Sequence, residues 1–207
     1  MIEQLVPATV AAVATRADVE AELFAEEVRS LGFAVPRRRR EFQTGRACAR
    51  RALARLGLPA AAVATGARGE PLWPASVVGS ITHCDGYRAC AAAHARDVRA
   101  LGIDAEVDAP LPAGVLDAVA SAGERGALAA LPPLRCWDRV LFSAKEALFK
   151  AWYPLTGVAL AFEEADVRID ADGTFSARLR VDGPLSAVAG RWTAAGGIVA
   201  TAVVVGR

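Results

Sequence analysis

The chain has 207 residues, of which 54% are hydrophobic and 23% charged, a balance that suits one or two compact domains and excludes an intrinsically disordered chain. Its formal charge of +1 gives no global field for nucleic acid, and the four cysteines (Cys48, Cys84, Cys90, Cys136) form no C-x-x-C pair and have only two histidines to join them, so neither a structural zinc site nor a disulfide framework is indicated. No apolar run reaches roughly 18 residues and the N-terminus lacks a basic n-region, so a cytoplasmic protein with reduced thiols and no membrane association is expected.

In chain order, Leu5 to Thr15 is apolar and reads as a strand. Asp18 to Leu31 mixes acidic and apolar residues at helical spacing, with Gly32 placed as a C-cap. Pro36 opens a second helix at the first helical position. Its apolar stripe takes in Phe42, Ala49, Leu53 and Leu56, and Gly57 closes it. The stretch Thr65 to Pro74 is rich in turn formers and reads as a loop. Three strands follow, over Val77–Thr82, Tyr87–His94 and Val98–Glu106, the first two joined by an Asp85-Gly86 turn. Val107 to Pro133 reads as a crossover with helical pieces. Cys136 to Tyr153 is strongly helical, Val140, Leu141, Ala144, Leu148, Ala151 and Trp152 marking one face and Pro154 the stop. The remainder reads as antiparallel strands over Ala165–Asp170, Phe175–Val181, Gly190–Thr193 and Ile198–Val205, with turns at Asp172-Gly173 and Gly196-Gly197. Each half offers a long helix and about three strands. The pattern predicts an α+β fold of two similarly built subdomains, residues 1–105 and 106–207, with a cleft between them.

The chemistry-bearing residues fall into short blocks. In Leu101-Gly102-Ile103-Asp104-Ala105-Glu106 the strand alternation puts Asp104 and Glu106 on one face and Leu101, Ile103 and Ala105 on the other. Two carboxylates about 7 Å apart raise each other's pKa unless a cation joins them, and hard oxygen ligands suit magnesium. An acidic strand end in water would look the same. On the later helix Glu146 and Lys150 are four apart and share a face, which fits either an ion pair or a site. Ser80-Ile81-Thr82-His83 ends a strand in a turn, where Thr82 and His83 can offer a hydroxyl and a ring nitrogen to a phosphate. Arg38 and Arg46, eight apart on a helix and so within about 80° of one another around its axis, could grip one phosphate.

The order of the blocks is more specific than any one of them. A basic helix is followed by Gly66-x-x-Gly69-x-Pro71-x-Trp73-Pro74, then Gly79-Ser80-Ile81-Thr82-His83-Cys84, then Gly102-Ile103-Asp104-Ala105-Glu106, then Trp137-Asp138 and Phe142-Ser143-Ala144-Lys145-Glu146-Ala147-x-x-Lys150-Ala151. From Arg37 to Gly157 the chain resembles the 4′-phosphopantetheinyl transferases of the surfactin-synthetase and enterobactin-synthetase activating type, and the resemblance implies a bacterial, actinobacterial member. The resemblance implies transfer of phosphopantetheine from coenzyme A to a serine of an apo acyl or peptidyl carrier protein, releasing 3′,5′-ADP. It implies a magnesium ion (or manganese) on Asp104, Glu106 and Glu146. It implies coenzyme A contacts from Arg38 and Arg46 at the 3′-phosphate, Arg68, Gly69 and Glu70 at the nucleotide, Thr82 and His83 at a phosphate, and Lys145 and Lys150 at the diphosphate. Some relatives carry a lysine near Thr65 or at Glu70; neither position is basic here, which puts more of the nucleotide grip on Arg68. Glu146 is then the expected base, with Lys145 and Lys150 flanking it and lowering its pKa, Lys150 neutralising the transferred group, and Asp104 completing the catalytic set. A metal-dependent phosphodiesterase and a non-catalytic coenzyme A or carrier-binding module are the rival readings; the full set of three carboxylates and two lysines speaks against a degenerate site. A monomer is expected because both halves of the cleft lie in one chain, with the carrier docking on apolar residues between Leu111 and Leu134.

Overall fold

The computed structural model describes residues 1–207. After a single 3-10 turn at Ile2–Gln4 come β1 (Val10–Thr15), α1 (Ala25–Leu31), the long α2 (Pro36–Arg55), two short strands β2 (Ala64–Thr65) and β3 (Pro71–Leu72), and then β4 (Val77–Cys84), β5 (Tyr87–His94) and β6 (Val98–Val107). The second half holds α3 (Val115–Val119), α4 (Ala122–Ala129), the long α5 (Trp137–Thr156), and the strands β7 (Ala165–Ile169), β8 (Thr174–Leu179), β9 (Ala187–Ala195) and β10 (Ile198–Gly206).

Every strand pairing is antiparallel. One sheet has the order β1-β5-β4 and carries α2; the other has the order β6-β10-β9-β8-β7 and carries α5, and β2 pairs with β3 in a small hairpin. This is the expected plan of two units, each a long helix on a small antiparallel sheet. The division expected between residues 105 and 106 falls inside β6, however. That strand pairs with β10 from Val107↔Ile198 to Leu101↔Val204, so the chain leaves the first sheet at the turn after His94.

Strand alternation builds the core. On β5, Cys90 and Ala92 face α2 and pack with Cys48, Ala49, Ala52 and Leu53. Its other face, Ala89, Ala91 and Ala93, packs on Leu101, Ile103 and Ala105 of β6 and Ile198 and Ala200 of β10. The far side of the second sheet receives the predicted α5 stripe, Val140, Leu141, Ala144, Leu148, Ala151 and Trp152, against Val199, Val203 and Phe175.

Several element boundaries differ from the sequence reading, β9 for one running over Ala187–Ala195 rather than Gly190–Thr193, and three of the differences have a clear local reason. Residues 5–9 are not strand: Pro7 has no N–H for a ladder and its carbonyl instead accepts the Val10 N–H at 2.9 Å. The helix expected from Asp18 begins only at Ala25, because the preceding residues are tied across the first sheet and α2; Asp18 pairs with Arg88 at 2.8 Å and Arg40 at 3.2 Å, and the Val19 N–H donates to the Thr44 hydroxyl at 2.9 Å. Pro154 does not stop α5. It sits in the last turn, where a missing N–H frees only one carbonyl, and Gly157, with φ of 68°, closes the helix by donating to the Tyr153 carbonyl at 2.8 Å.

Candidate active site

Two sets of elements meet at a cleft of about 390 Å³. Arg38, Glu41 and Arg46 of α2 and Thr82 and His83 at the end of β4 line one wall, and Asp104 and Glu106 of β6 with Glu146 and Lys150 of α5 line the other. Gly69 and Pro71 of the small hairpin lie at its edge, where a second hollow of about 240 Å³ continues past Arg68 and Glu70 toward Phe149 and Tyr153. Gly102 brings the second wall close. A Cβ there would lie 1.9 Å from the Ala147 carbonyl oxygen of α5, so only glycine lets that helix settle on β6 with Glu146 and Lys150 beside Asp104.

Asp104 is the centre of the hydrogen bonding. Its Oδ1 accepts from Lys150 Nζ at 2.7 Å and from the Thr82 hydroxyl at 3.2 Å, and its Oδ2 accepts from the Ser143 hydroxyl at 2.9 Å. Glu106 accepts from Arg139 Nη1 at 2.9 Å. Burial first, and then the charge of Asp104, raise the pKa of both Glu106 and Glu146; Arg139 offsets part of the first shift and Lys150 part of the second. Three carboxylates on one cleft, two of them destabilised by the third, are a donor set that a hard divalent cation would relieve. As they stand, no three acidic or histidine side chains close around one point. Lys150 and Arg139 neutralise Asp104 and Glu106 instead.

The opposite wall is cationic. Arg38 Nη1 lies 2.6 Å from His83 Nε2, and Glu41, buried behind them, is 3.6 Å from the other ring nitrogen of His83. Burial, reinforced by the Arg38 charge, holds the His83 pKa below its ordinary value, so its ring is neutral at pH 7. Arg46 lies deeper. Its Nε donates to the Val63 carbonyl at 2.7 Å, one Nη donates to the Thr65 hydroxyl at 3.0 Å, and the guanidinium stacks 3.9 Å over the Phe42 ring. Burial pulls its pKa down to about 10, which still leaves it charged at neutral pH. At the hairpin the Glu70 carboxylate turns back over the loop and accepts the Arg68 N–H at 2.9 Å, and Gly69 supplies the φ of 87° that the turn needs.

Lys145 is not brought to this cleft. One residue along a helix rotates about 100° from Glu146, and that places Lys145 on the opposite flank. There its buried ammonium donates to Glu124 at 2.9 Å, to the Phe162 carbonyl at 2.8 Å and to the Ala165 carbonyl at 3.1 Å, which uses all three of its donors. The expected depression of the Glu146 pKa by two lysines is therefore reversed: only Lys150 acts on it, and burial and Asp104 outweigh that single cation. Thr82 also differs from the reading of a free phosphate ligand. Its oxygen accepts the Ala105 N–H at 3.1 Å and its proton goes to Asp104.

Three residues at the site went unread in the sequence, namely Arg139, Ser143 and Glu41. Arg139, Ser143, Glu146 and Lys150 stand at i, i+4, i+7 and i+11, one polar stripe along α5, and that periodicity is the signal that could have found the first two. Glu41 had a weaker signal, a lone acid directly after the Arg37–Arg40 run.

The chain matches two family models, one described as the 4′-phosphopantetheinyl transferase N-terminal domain over residues 26–93 and one as the 4′-phosphopantetheinyl transferase superfamily over residues 100–203. Among curated proteins it is 53% identical over 193 residues to the 4′-phosphopantetheinyl transferase Svp of Streptomyces mobaraensis, covering 88% of this chain and 78% of that protein. It is 48% identical to the 4′-phosphopantetheinyl transferase Npt of Nocardia iowensis, with 82% and 83% covered, and 44% identical to the 4′-phosphopantetheinyl transferase PptT of Mycobacterium tuberculosis, with 86% and 84% covered. The two matched segments meet between β5 and β6, where the chain passes from one sheet to the other.

Proposed function

The chain belongs to the 4′-phosphopantetheinyl transferase superfamily, and from that premise we propose how its cleft carries out the transfer of phosphopantetheine from coenzyme A to a carrier protein. The observation that carries the reading is the opposition of two walls across one cleft, Arg38, Arg46 and His83 on one side and Asp104, Glu106, Glu146 and Lys150 on the other. A substrate with a diphosphate and a 3′-phosphate needs cations, and a reaction at phosphorus needs charge held at a fixed place.

In this reading Arg38 and Arg46 face the 3′-phosphate, His83 stands by a neighbouring phosphate oxygen, and the Arg68-Gly69-Glu70 turn flanks the nucleotide. A magnesium or manganese ion would be held by Asp104, Glu106 and Glu146 and would supply Lewis-acid neutralisation of the diphosphate. Lys150, whose ammonium stands 2.7 Å from Asp104, sets its charge against the transferred phosphoryl group. Glu146 accepts the proton of the carrier serine as the serine oxygen bonds to phosphorus and the anhydride bond breaks, leaving 3′,5′-ADP. A recess of about 190 Å³ between Glu146, Leu148, Phe149, Leu160 and Phe162, with the Glu124-paired Lys145 in its wall, offers a mostly apolar path for the pantetheine arm. Leu134, 80% exposed at the start of the α5 segment, suits a surface for the carrier, and the two walls lying in one chain suit a monomer. No helix is long and apolar enough to cross a membrane.

The test incubates the protein with coenzyme A, magnesium and an apo acyl or peptidyl carrier and reads the mass of the carrier. Wild type is expected to add one phosphopantetheine, and Asp104→Ala to add none while keeping its far-UV spectrum. A carrier labelled at the wild-type rate by Asp104→Ala at saturating magnesium would remove Asp104 from the machinery. Coenzyme A cleaved with no carrier labelled would favour a phosphodiesterase instead.

A further inference from the structure

We propose that the Ser143 hydroxyl is a positioning group for Asp104, acting with Thr82 and backed by Thr201 to fix the direction in which that carboxylate faces the cleft. The proposal rests on the reading of Asp104 as a ligand of the divalent ion.

The four side chains form a buried network. Ser143 and Thr201 are 0% exposed, Thr82 2% and Asp104 4%. The Ser143 Oγ is 2.9 Å from Asp104 Oδ2 and 2.9 Å from Thr201 Oγ1, and Thr201 Oγ1 is also 2.9 Å from the Ser143 carbonyl. An ionised carboxylate is a stronger acceptor than a hydroxyl, so the Ser143 proton goes to Asp104 and the Thr201 proton turns back to Ser143. On the other oxygen, the Thr82 proton goes to Oδ1 while the Thr82 oxygen accepts the Ala105 N–H, so its orientation is fixed by the backbone of β6 itself.

Packing alone does not explain a serine at 143. Its helix neighbours on the buried side are alanines 144 and 147, and alanine would fill the same space without the cost of burying a hydroxyl, about 1–3 kcal/mol when unsatisfied. The hydroxyl is kept where it reaches one carboxylate oxygen. The three donors to Asp104 come from β4, from the middle of α5 and from Lys150 about two turns further on, so the carboxylate is held from both halves of the molecule. A carboxylate has about four lone-pair sites. Two are taken by hydroxyls and one by Lys150, which points what remains into the cleft. Partners that orient a ligand in this way typically change metal affinity about 10- to 100-fold when lost.

The experiment measures Mn²⁺ binding to the full chain loaded with coenzyme A, by calorimetry and electron paramagnetic resonance and without any carrier, in wild type, Ser143→Ala and Thr201→Val. Ser143→Ala is expected to bind Mn²⁺ about tenfold or more weakly, with unchanged affinity for coenzyme A in the absence of metal. Thr201→Val, which keeps the Ser143–Asp104 bond and loses only its backing, should fall between the two. In the transfer assay the Ser143→Ala rate should climb back toward wild type as Mg²⁺ is raised, which a merely structural defect would not do. Wild-type Mn²⁺ affinity in Ser143→Ala overturns the positioning role, as does a parallel loss of coenzyme A affinity that Mg²⁺ fails to restore. A wild type that takes up no Mn²⁺ with coenzyme A bound overturns the ion reading itself, and this role with it.

Discussion

At the scale of single residues the cleft sets two proton carriers in different electrostatic surroundings. Glu146 lies among carboxylates, and in the absence of a cation burial and Asp104 raise its pKa. A divalent ion held there would favour the charged form and so keep Glu146 ionised, the form that can accept a proton. Glu146→Gln keeps the size and one ligating oxygen but accepts no proton. It is expected to bind coenzyme A normally and to lose turnover by a factor of about 10² to 10⁴. Single-turnover rates beside calorimetric affinities decide it, because equal falls in both would make Glu146 a ligand only.

His83 lies on the cationic wall, and its pKa is shifted the other way by the same kind of cause: burial and then a like charge, here Arg38, disfavour its charged form, which for a base lowers the pKa. The folded value is below the unfolded one of about 6.5, so protonation favours the unfolded chain; this contribution to stability is present above pH ~6.5 and is lost as pH falls through the lowered folded value. An anionic phosphate beside the ring raises the pKa again. On the proposed reading, coenzyme A binding should therefore take up a fraction of a proton as pH falls past the ordinary histidine value of about 6.5, and its affinity should strengthen as pH falls from 8 toward it. Calorimetry in buffers of different ionisation enthalpy reads the proton directly. His83→Gln should abolish the uptake, and an unchanged uptake in that variant would place the proton on another group.

At the scale of elements, α5 is the part that most determines the site, because one face makes the core, one stripe makes the cleft and one flank carries Lys145. The buried Lys145–Glu124 pair ties α5 to α4, and the Glu124 carboxylate also accepts the Ser121 and Val167 N–H groups at 2.7 and 2.8 Å. Removing the lysine leaves that carboxylate buried without its cation, so Lys145→Ala should cost about 3–5 kcal/mol in urea unfolding. The KM for coenzyme A should be unchanged at temperatures where the variant is folded. A raised KM at full stability would return Lys145 to the phosphates.

The seat of α5 on β6 is equally specific. Gly102→Ala forces a methyl against the Ala147 carbonyl, and overpacking of this kind costs about 1–3 kcal/mol or more. It should also move Glu146 and Lys150 away from Asp104 and lower the transfer rate. Gly126→Ala in α4, which meets nothing within 4 Å, should stabilise by about 0.5–1 kcal/mol and serves as the control. Thermal unfolding of the two variants separates close packing from helix propensity.

These elements mark how far the sequence could be read. The α5 stripe and the shared face of Asp104 and Glu106 follow from periodicities of 3.6 and 2, which local sterics impose whatever surrounds them, and the start of β5 follows from the Asp85-Gly86 turn. The Lys145–Glu124 pair is not legible in that way, because adjacency in sequence says nothing about which flank of a helix finds a buried acid, and Glu124 arrives from a segment with no sequence relation to it. Residues 18–24 were misread as helix because their bonds to Arg88, Arg40 and Thr44 are tertiary. β6 follows β5 directly yet pairs with β10 in the other sheet, because a strand does not announce its partner.

At the scale of the molecule the two halves are not independent units joined by a cleft. One cluster of 15 buried residues takes Val10, Ala12, Ala89, Ala91 and Ala93 from the first sheet and Leu101, Ile103, Ala105, Ile198 and Ala200 from the second. The strands β4 and β6 belong to different sheets, yet the hydroxyls of Ser80 and Thr82 accept the N–H groups of Ile103 and Ala105 at 3.1 Å each, standing in for ladder bonds across the seam. Parting the halves would expose that apolar cluster and leave these amides unpaired, so neither half gains by unfolding alone. Urea unfolding is thus expected to be a single transition. The tryptophans allow a probe of each side: Trp73 reports the first half, and Trp137, Trp152 and Trp192 the second. In a Trp73-only variant and its complement, with phenylalanine at the replaced positions, fluorescence midpoints should coincide with each other and with circular dichroism. Because the cleft is built from both halves, coenzyme A with Mg²⁺ at about 100 times its Kd should shift both midpoints together, by the equivalent of about 2.7 kcal/mol. Two separated midpoints, or a ligand shift seen by one probe alone, would show that the halves unfold independently and that the seam contributes little to holding the walls of the site in register.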